Sequence, residues 1–432
     1  MKMMVVSVGG SPEPVIYSLN EQQPDYVVYF ASKDSRKLIS SEIESQLTFT
    51  PVDVEKLVTA DEQDLLVCVQ YLLKEVPRCL QLWDVSVDNI ICDYTGGTKT
   101  MSAAIVLALS SFVRQFSYVG GVSRDKDGLG VVIGGREHML YVQNPWDALA
   151  IRFMREIELM FNRCRFQSVI DVAQAAKLKT EDKAPFFAFI RDVAEGFYCW
   201  DGVQYDKAYK LLKQCTGKLP TLFQFSNNRE LDDFSRQLCK SFERLTLIKD
   251  QSDQLKPNKG KKIAQGVDPL CRDFLADIVA NAVRRAEVEH KYDDAVARLY
   301  SAIEKLAKIT LQVEFSINNS SVDVALIDDN DVKQWLENEC GGEGLPIMLP
   351  LSRSYELLYR LHHPLGVQFE QHRLQLEKVL SIRNNSILAH GYDSVSGKTY
   401  CDMLNIALQF LDLQKNDLPT FPQMNWGYQG LS

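Results

Sequence analysis

The first 145 residues alternate short apolar runs with amphipathic stretches. Val5–Val8 is a mostly β-branched run that ends at Gly9-Gly10, and Tyr26–Phe30 is a second apolar run. A polar, helix-like stretch, Ser35–Leu47, follows, and Phe49–Val54 reads as a weaker strand. Over Glu62–Glu75, Leu65, Leu66, Val69, Leu72 and Leu73 fall at helical spacing. Asn89–Cys92 reads as a short buried strand, Thr98–Phe112 as an apolar helix and Phe116–Val119 as another strand. Val131–Ile133 and Met139–Val142 flank Gly134-Gly135-Arg136-Glu137-His138 and predict a hairpin. Strands alternating with helices predict a doubly wound, mostly parallel sheet. The hairpin adds antiparallel strands at its edge.

Asn144-Pro145-Trp146 marks a change to mainly helical periodicity. Ala148–Phe161, Phe166–Ala176, Phe186–Tyr198 and Tyr205–Gln214 carry apolar positions at a period of 3.6. Lys256-Pro257-Asn258-Lys259-Gly260-Lys261-Lys262 is an exposed loop, read as a solvated one despite its lysines. Asp273–Glu289 and Asp293–Leu311 are long helices, and Ser316–Ile327 is strand-like or irregular. Helices resume at Asp331–Glu339, Ser354–Leu361, Gln371–Ala389 and Tyr400–Leu413. The similar Tyr205-Asp206-Lys207-Ala208 and Tyr292-Asp293-Asp294-Ala295 are helix starts, since two copies fall short of a repeat array. The expected organisation is three domains, 1–145, 146–265 and 266–432.

Composition narrows the class without naming it. The 432 residues are 46% hydrophobic and 24% charged, as in a globular protein. The longest apolar stretch, Ala103–Val113, is too short for a membrane span, and Met1–Gly10 lacks the form of a signal peptide. A cytoplasmic location is expected. Net charge is −9, with 12 basic and 18 acidic residues before position 146 and 36 and 39 after it. Neither part is a basic nucleic-acid surface, so any bound anion must be held by local geometry. The ten cysteines are scattered with no Cys-x-x-Cys pair, so buried reduced thiols are expected and zinc is not. His362, His363 and His372 lack the partners of a metal set and are read as structural.

Two loops carry the chemistry of the first domain. One is Gly9-Gly10-Ser11-Pro12-Glu13-Pro14; the other is Asp93-Tyr94-Thr95-Gly96-Gly97-Thr98-Lys99-Thr100, between the Asn89–Cys92 strand and the following helix. Both lie beyond the carboxyl ends of strands, where doubly wound sheets bind ligands. Glycines let backbone N–H groups face an anion, a helix start adds partial positive charge, Thr95 and Thr98 offer hydroxyls, and Lys99 a mobile charge. Neither loop is a Walker or dinucleotide motif. Nucleotide or phosphate binding stands against simple tight turns with Thr98 as a helix cap.

A second constellation is Arg383-Asn384-Asn385-Ser386-Ile387-Leu388-Ala389-His390-Gly391. Seven positions is almost two turns, so a continuous helix puts Arg383 and His390 on one face, with Gly391 as its stop. His suits proton transfer and Arg suits a phosphate. RNA is cleaved this way without metal when the 2′-hydroxyl attacks the adjacent phosphate. The plain alternative is a helix cap and a surface charge. Glu304 either buttresses Arg383 from a facing helix or faces solvent.

Asp93-Tyr94-Thr95-Gly96-Gly97-Thr98-Lys99-Thr100-Met101 resembles the ligand loop of CRISPR-associated Rossmann-fold sensor (CARF) domains. Arg383–His390 resembles the Arg-x(4–6)-His motif of HEPN ribonucleases in its six-residue form, and Tyr292–Tyr300 and Asn385–Gly391 resemble segments of CARF–HEPN proteins of type III CRISPR systems. The resemblance implies a Rossmann-like α/β sensor domain followed by an all-α half with a HEPN helical bundle, joined by a helical connector. It implies a homodimer that binds cyclic oligoadenylate, tetra-adenylate favoured, at Gly9, Gly10, Ser11, Thr95, Gly96, Gly97, Thr98 and Lys99. It further implies cleavage of single-stranded RNA to a 2′,3′-cyclic phosphate at a composite site, in antiviral defence, with no catalytic cofactor or metal and no membrane. Arg383 and His390 then form the catalytic pair, with Asn384 as polar assistant. Slow degradation of the ring by the sensor is a further property of some CARF domains, for which Ser11 and the loop threonines are placed. The competing reading is a non-catalytic sensor whose helical half recruits or regulates a partner.

Overall fold

The structure is a computed structural model that describes residues 1–110, 113, 115–121, 137–143, 150–223, 229–256, 268–340, 347–386 and 391–426. The chain divides into two compact units, the first running to Met154 and the second starting at Arg155.

The first unit is built on a six-stranded sheet. Its strands are β1 (Met3–Val8), β2 (Tyr26–Ala31), β3 (Asp53–Val58), β4 (Ile90–Asp93), β5 (Gln115–Gly121) and β6 (Glu137–Gln143), in the order β3-β2-β1-β4-β5-β6. The first five pair in parallel and β6 is antiparallel to β5, with Phe116 opposite Val142. β1 and β2 are buried at every position, as expected of central strands covered on both faces. Alternate residues of β1 feed two cores. Met3 and Val5 join the layer of α2 (Leu65–Trp83) and α3 (Lys99–Leu109), while Met4, Val6 and Val8 join the layer of α1 (Glu13–Gln22).

Several expectations shift. The predicted strand at Phe49–Val54 lies at Asp53–Val58; as an edge strand it keeps most of its side chains partly exposed, and its weak apolar pattern follows from that. The antiparallel edge strand exists, but β5 is its partner, and Val131–Ile133 lies outside the described residues. Helix α1 was hidden by Pro12 and Pro14, which read as a loop yet fit a first helical turn.

The second unit is helical. It starts within α4 (Ile151–Asn162) and runs through α5 (Phe166–Lys179), α6 (Ala184–Asp201), α7 (Tyr205–Phe223) and α8 (Arg229–Gln254). It continues with α9 (Arg272–Val283, extended by a wider turn to Val288), α10 (Tyr292–Glu314), α11 (Asn330–Trp335), α12 (Leu351–Arg360), α13 (Pro364–Asn384) and α14 (Gly397–Phe410). The two Tyr-Asp segments do start helices, α7 and α10. The long, polar α8 was not anticipated. Lys256 just beyond it is paired with Asp206 and Asp253, and residues 257–262 of the lysine loop lie outside the described residues.

A buried polar network ties the middle helices to the later ones. Asp201, at the end of α6, accepts from Arg284 Nε at 2.9 Å, from Arg285, and from Asn281 Nδ2 at 3.2 Å. Fully buried Asp277 accepts from Trp200 Nε1 at 3.1 Å and from the Tyr205 hydroxyl at 2.9 Å. Burial raises the Asp277 carboxyl above its ordinary pKa, against the opposing pull of Arg284. Arg284 also lies 4.0 Å over the ring of Phe421, which packs on Phe197 and Trp200 and so carries the C-terminal segment across these helices.

Candidate functional site

The first candidate site lies where the strand order reverses, between β1 and β4. This is the topological switch point at which open α/β sheets bind ligands. The two glycine loops meet there backbone to backbone. A Cβ on Gly96 would stand 2.2 Å from the Ser7 carbonyl oxygen, and one on Gly9 would stand 2.6 Å from Gly97 N. Gly97 also has φ +79°, which only glycine adopts readily. Gly10 meets nothing within 4 Å and faces open space.

Asp93 fixes the second loop. It is buried, and accepts from Ser18 Oγ at 2.7 Å, Ser117 Oγ at 2.9 Å and Thr95 N at 2.9 Å. Burial raises its pKa from the ordinary 3.8, although the Thr95 hydroxyl, Ser18, the Thr95 amide and Ser117 all pull it down. Ser7 Oγ and Ser102 Oγ donate to the Gly96 carbonyl at 2.7 and 3.0 Å, which turns that oxygen inward. The Thr98 hydroxyl accepts from Met101 N at 3.1 Å, capping α3, and donates to the Glu62 carbonyl at 2.9 Å. The Thr95 hydroxyl accepts from Val119 N at 2.8 Å and is also hydrogen-bonded to Asp93. Both threonine hydroxyls are thus committed to the protein, and these residues enter the site through the loop shape they hold. Gly9, Ser11, Gly96 and Gly97 are partly exposed, Gly10 and Lys99 are exposed, and the first turn of α3 has amides besides the Met101 N–H that Thr98 caps. The sequence placed Asp93 at the head of this loop but gave it no role; the signal was a charge closing the apolar run Ile90-Ile91-Cys92.

The second candidate site is at the end of α13. This helix stops at Asn384, so the expected continuous helix through Ala389, with Gly391 as its stop, is not what forms. Asn384, Asn385 and Ser386 bond locally with the backbone more readily than they extend a helix. Asn385 N and Ser386 N close back on the carbonyls of Ser381 and Arg383, both at 3.0 Å. His390 lies outside the described residues, so the one-face geometry with Arg383 is not on view. Its flanks are held: Gly391 N donates to the Ser386 carbonyl at 3.1 Å and Asp393 N to the Asn385 carbonyl at 3.2 Å. Gly391 permits this close approach, since a Cβ there would fall 1.8 Å from the Asn385 oxygen.

Arg383 stands in the last turn of α13, partly exposed. Its Nη1 donates to Asn384 Oδ1 at 3.0 Å, and its guanidinium lies 4.6 Å over the ring of Tyr300 on α10. No described ion pair joins Arg383 to Glu304. The Glu304 charge instead acts on the Tyr300 hydroxyl, so its influence on Arg383 runs through that ring. The Tyr300 pKa is raised, first by burial and then by the Glu304 charge. Tyr300 was missed as a site residue, although Tyr300 and Glu304 are one helical turn apart. Elsewhere, His363 Nδ1 caps α13 by accepting from Leu365 N at 3.2 Å, and its Nε2 lies 3.1 Å from Glu314. His372 packs on Phe410. No helix among the described residues is long and apolar enough to cross a membrane.

Comparison with known proteins gives these sites a family. A family model for the Csm6 HEPN domain matches residues 267–414, and one for the Csm6 6H domain matches residues 149–243. Together they span more than half of the chain. Among solved structures, Enterococcus italicus Csm6 bound to cyclic hexa-2′-fluoro-hexa-dAMP is similar over 96% of this chain and 96% of that chain, at 12% identity and TM-score 0.51. Can2 from Sulfobacillus thermosulfidooxidans, in complex with cyclic tetra-adenylate, aligns with 51% of this chain and 69% of its own at 16% identity, with a TM-score of only 0.24. No curated protein matches the chain by sequence. The chain belongs to the CRISPR-associated CARF–HEPN proteins of the Csm6 family, ancillary to type III systems.

Proposed function

We propose that this protein is an endoribonuclease switched on by cyclic oligoadenylate, cutting single-stranded RNA without metal. The observation that carries the reading is the pair of glycine loops meeting at the switch point of the sheet, in a chain whose helical unit matches a HEPN domain. The Gly9 and Gly96–Gly97 backbone, the start of α3 and Lys99 supply donors and positive charge to a polyanionic ring, despite the acidic balance of this part of the chain. Tetra-adenylate is the favoured ring. A ring with internal symmetry suits a site shared by two copies, which supports a homodimer.

At the helical site, His390 moves the proton and Arg383 stabilises charge. The 2′-hydroxyl loses its proton and its oxygen attacks the adjacent phosphorus. The bond from phosphorus to the 5′-oxygen breaks, and that oxygen takes up a proton. The products are a 2′,3′-cyclic phosphate and a 5′-hydroxyl. Arg383 presents its guanidinium to the pentavalent anion from over the Tyr300 ring, with Nη1 hydrogen-bonded to Asn384. One Arg and one His make a sparse site, and two pairs meeting across a dyad make a fuller one. Ring binding activates by favouring one arrangement of the two copies, which requires different ring affinity in the two states.

The test is cleavage of a fluorogenic single-stranded RNA in EDTA, with product ends identified, with and without cyclic tetra- and hexa-adenylate. Ring-dependent cleavage leaving 2′,3′-cyclic phosphate ends, and lost in His390→Ala, is expected. A protein that binds a ring yet cuts no RNA would replace this reading with a sensor that recruits a partner.

A further inference from the structure

Two residues beyond His390, Tyr392 is 96% exposed, the highest value among the described exposed large hydrophobic and aromatic side chains. Aromatic side chains ordinarily contribute to folding by burying their rings. This one contributes almost nothing that way, yet its backbone is firmly held. Gly391 N bonds the Ser386 carbonyl and Asp393 N bonds the Asn385 carbonyl, so Tyr392 stands between two residues tied to the end of α13. Val395 N donates to Asp293 Oδ1 at 3.1 Å, which fixes the same segment to α10. Arg383 and Asn384 are the residues just before Asn385. The structure therefore presents an exposed aromatic ring on a backbone hydrogen-bonded to the end of the helix that carries Arg383.

We propose that Tyr392 is a stacking platform for one base of the single-stranded RNA substrate, placing the neighbouring phosphate at Arg383. The inference rests on the ribonuclease reading above and adds a substrate-positioning residue to it. Every base has a π-face, so a lone tyrosine binds unpaired RNA with little sequence preference. A duplex hides its base faces in the stack, so Tyr392 favours single strands. The contact is made in ground and transition states alike, so it acts on KM rather than on kcat.

The test uses the full chain. Binding of a short labelled single-stranded RNA is measured by anisotropy in a His390→Ala background, with Tyr392 retained or changed to Trp, Leu or Ala. Trp is expected to hold affinity, and Leu and Ala to lose about 5- to 100-fold. In the cleaving protein, Tyr392→Ala is expected to raise KM and leave kcat within a factor of about two. Equal binding by Tyr392→Leu and the tyrosine form would overturn the proposal, as would the absence of any RNA binding. A lower sedimentation mass in Tyr392→Ala, with RNA affinity per dimer unchanged, would also overturn it and assign the ring to a second copy. Failure of the ribonuclease reading shows separately, as wild-type protein that binds RNA through Tyr392 and does not cut it.

Discussion

The sensor loop and the Arg383 corner solve opposite problems. Around Gly96 nearly every polar group is spent inside the fold: Asp93 takes Ser18, Ser117 and Thr95, and the Gly96 carbonyl takes Ser7 and Ser102. The loop is rigid before any ligand arrives, and what it offers outward is backbone. At the end of α13 the balance reverses. Arg383 has a ring beneath it and one amide beside it, and its guanidinium stays partly exposed. A preorganised cradle suits a ligand whose binding must be specific. A lightly held cation suits a site completed by other groups.

Substitutions at four positions probe that difference, from the largest expected effect to the smallest. Gly96→Val should cost well over about 4 kcal/mol in the sensor unit, because its Cβ would strike the Ser7 carbonyl 2.2 Å away. Thermal unfolding should show that unit melting early while the helical unit keeps its transition. Equal stability would mean the loop is softer than its contacts indicate.

Arg383→Ala should lower RNA cleavage by about 100- to 1000-fold, the usual cost of losing a charge-stabilising donor. Melting temperature should stay unchanged, since the side chain is partly exposed. A loss of fold instead would make Arg383 a structural residue.

Asp93→Ala should destabilise the sensor unit by about 3 kcal/mol, because Ser18, Ser117 and the Thr95 amide lose their acceptor. Asp93→Asn should keep most of that stability and change its pH dependence. The raised carboxyl pKa means the folded state holds this proton more tightly than the unfolded chain does. Its contribution is therefore most favourable below the ordinary value of 3.8 and declines as pH rises through the raised value. Denaturant melts between about pH 4 and pH 7 should show wild type losing stability relative to Asp93→Asn.

Tyr300→Leu should lower cleavage by about 3- to 30-fold through loss of the ring under Arg383, while Tyr300→Phe should cost less than about threefold. If Phe is as damaging as Leu, the Tyr300 hydroxyl matters more than the ring.

Much of this was legible in sequence, and the reasons differ by region. The parallel sheet showed because its strands are buried on both faces and read as unbroken apolar runs. Edge strand β3 was misplaced because only Leu57 of its six positions is buried. The glycine loops were found as a motif, but their contact with each other was not, since Gly9 and Gly97 are 88 positions apart and meet only through the sheet order. Asp93 was legible as the first residue of the loop, but its anchoring role was not, because a buried carboxylate is defined by its donors, and Ser18 and Ser117 come from other elements. At Arg383 the motif was plain and the geometry was not: periodicity carried the helix to Ala389, while the polar run Asn384-Asn385-Ser386 ended it. Tyr300 is the case where spacing alone would have sufficed, had the face shared with Glu304 been followed.

The most direct test of two separate sites is RNA cleavage measured against ring concentration for wild type, Lys99→Ala and Arg383→Ala. The account predicts a curve that rises with ring in wild type, moves to higher ring concentration with the same plateau in Lys99→Ala, and keeps its ring affinity but loses its plateau in Arg383→Ala. Cleavage indifferent to the ring, or both substitutions changing the same parameter, would contradict it.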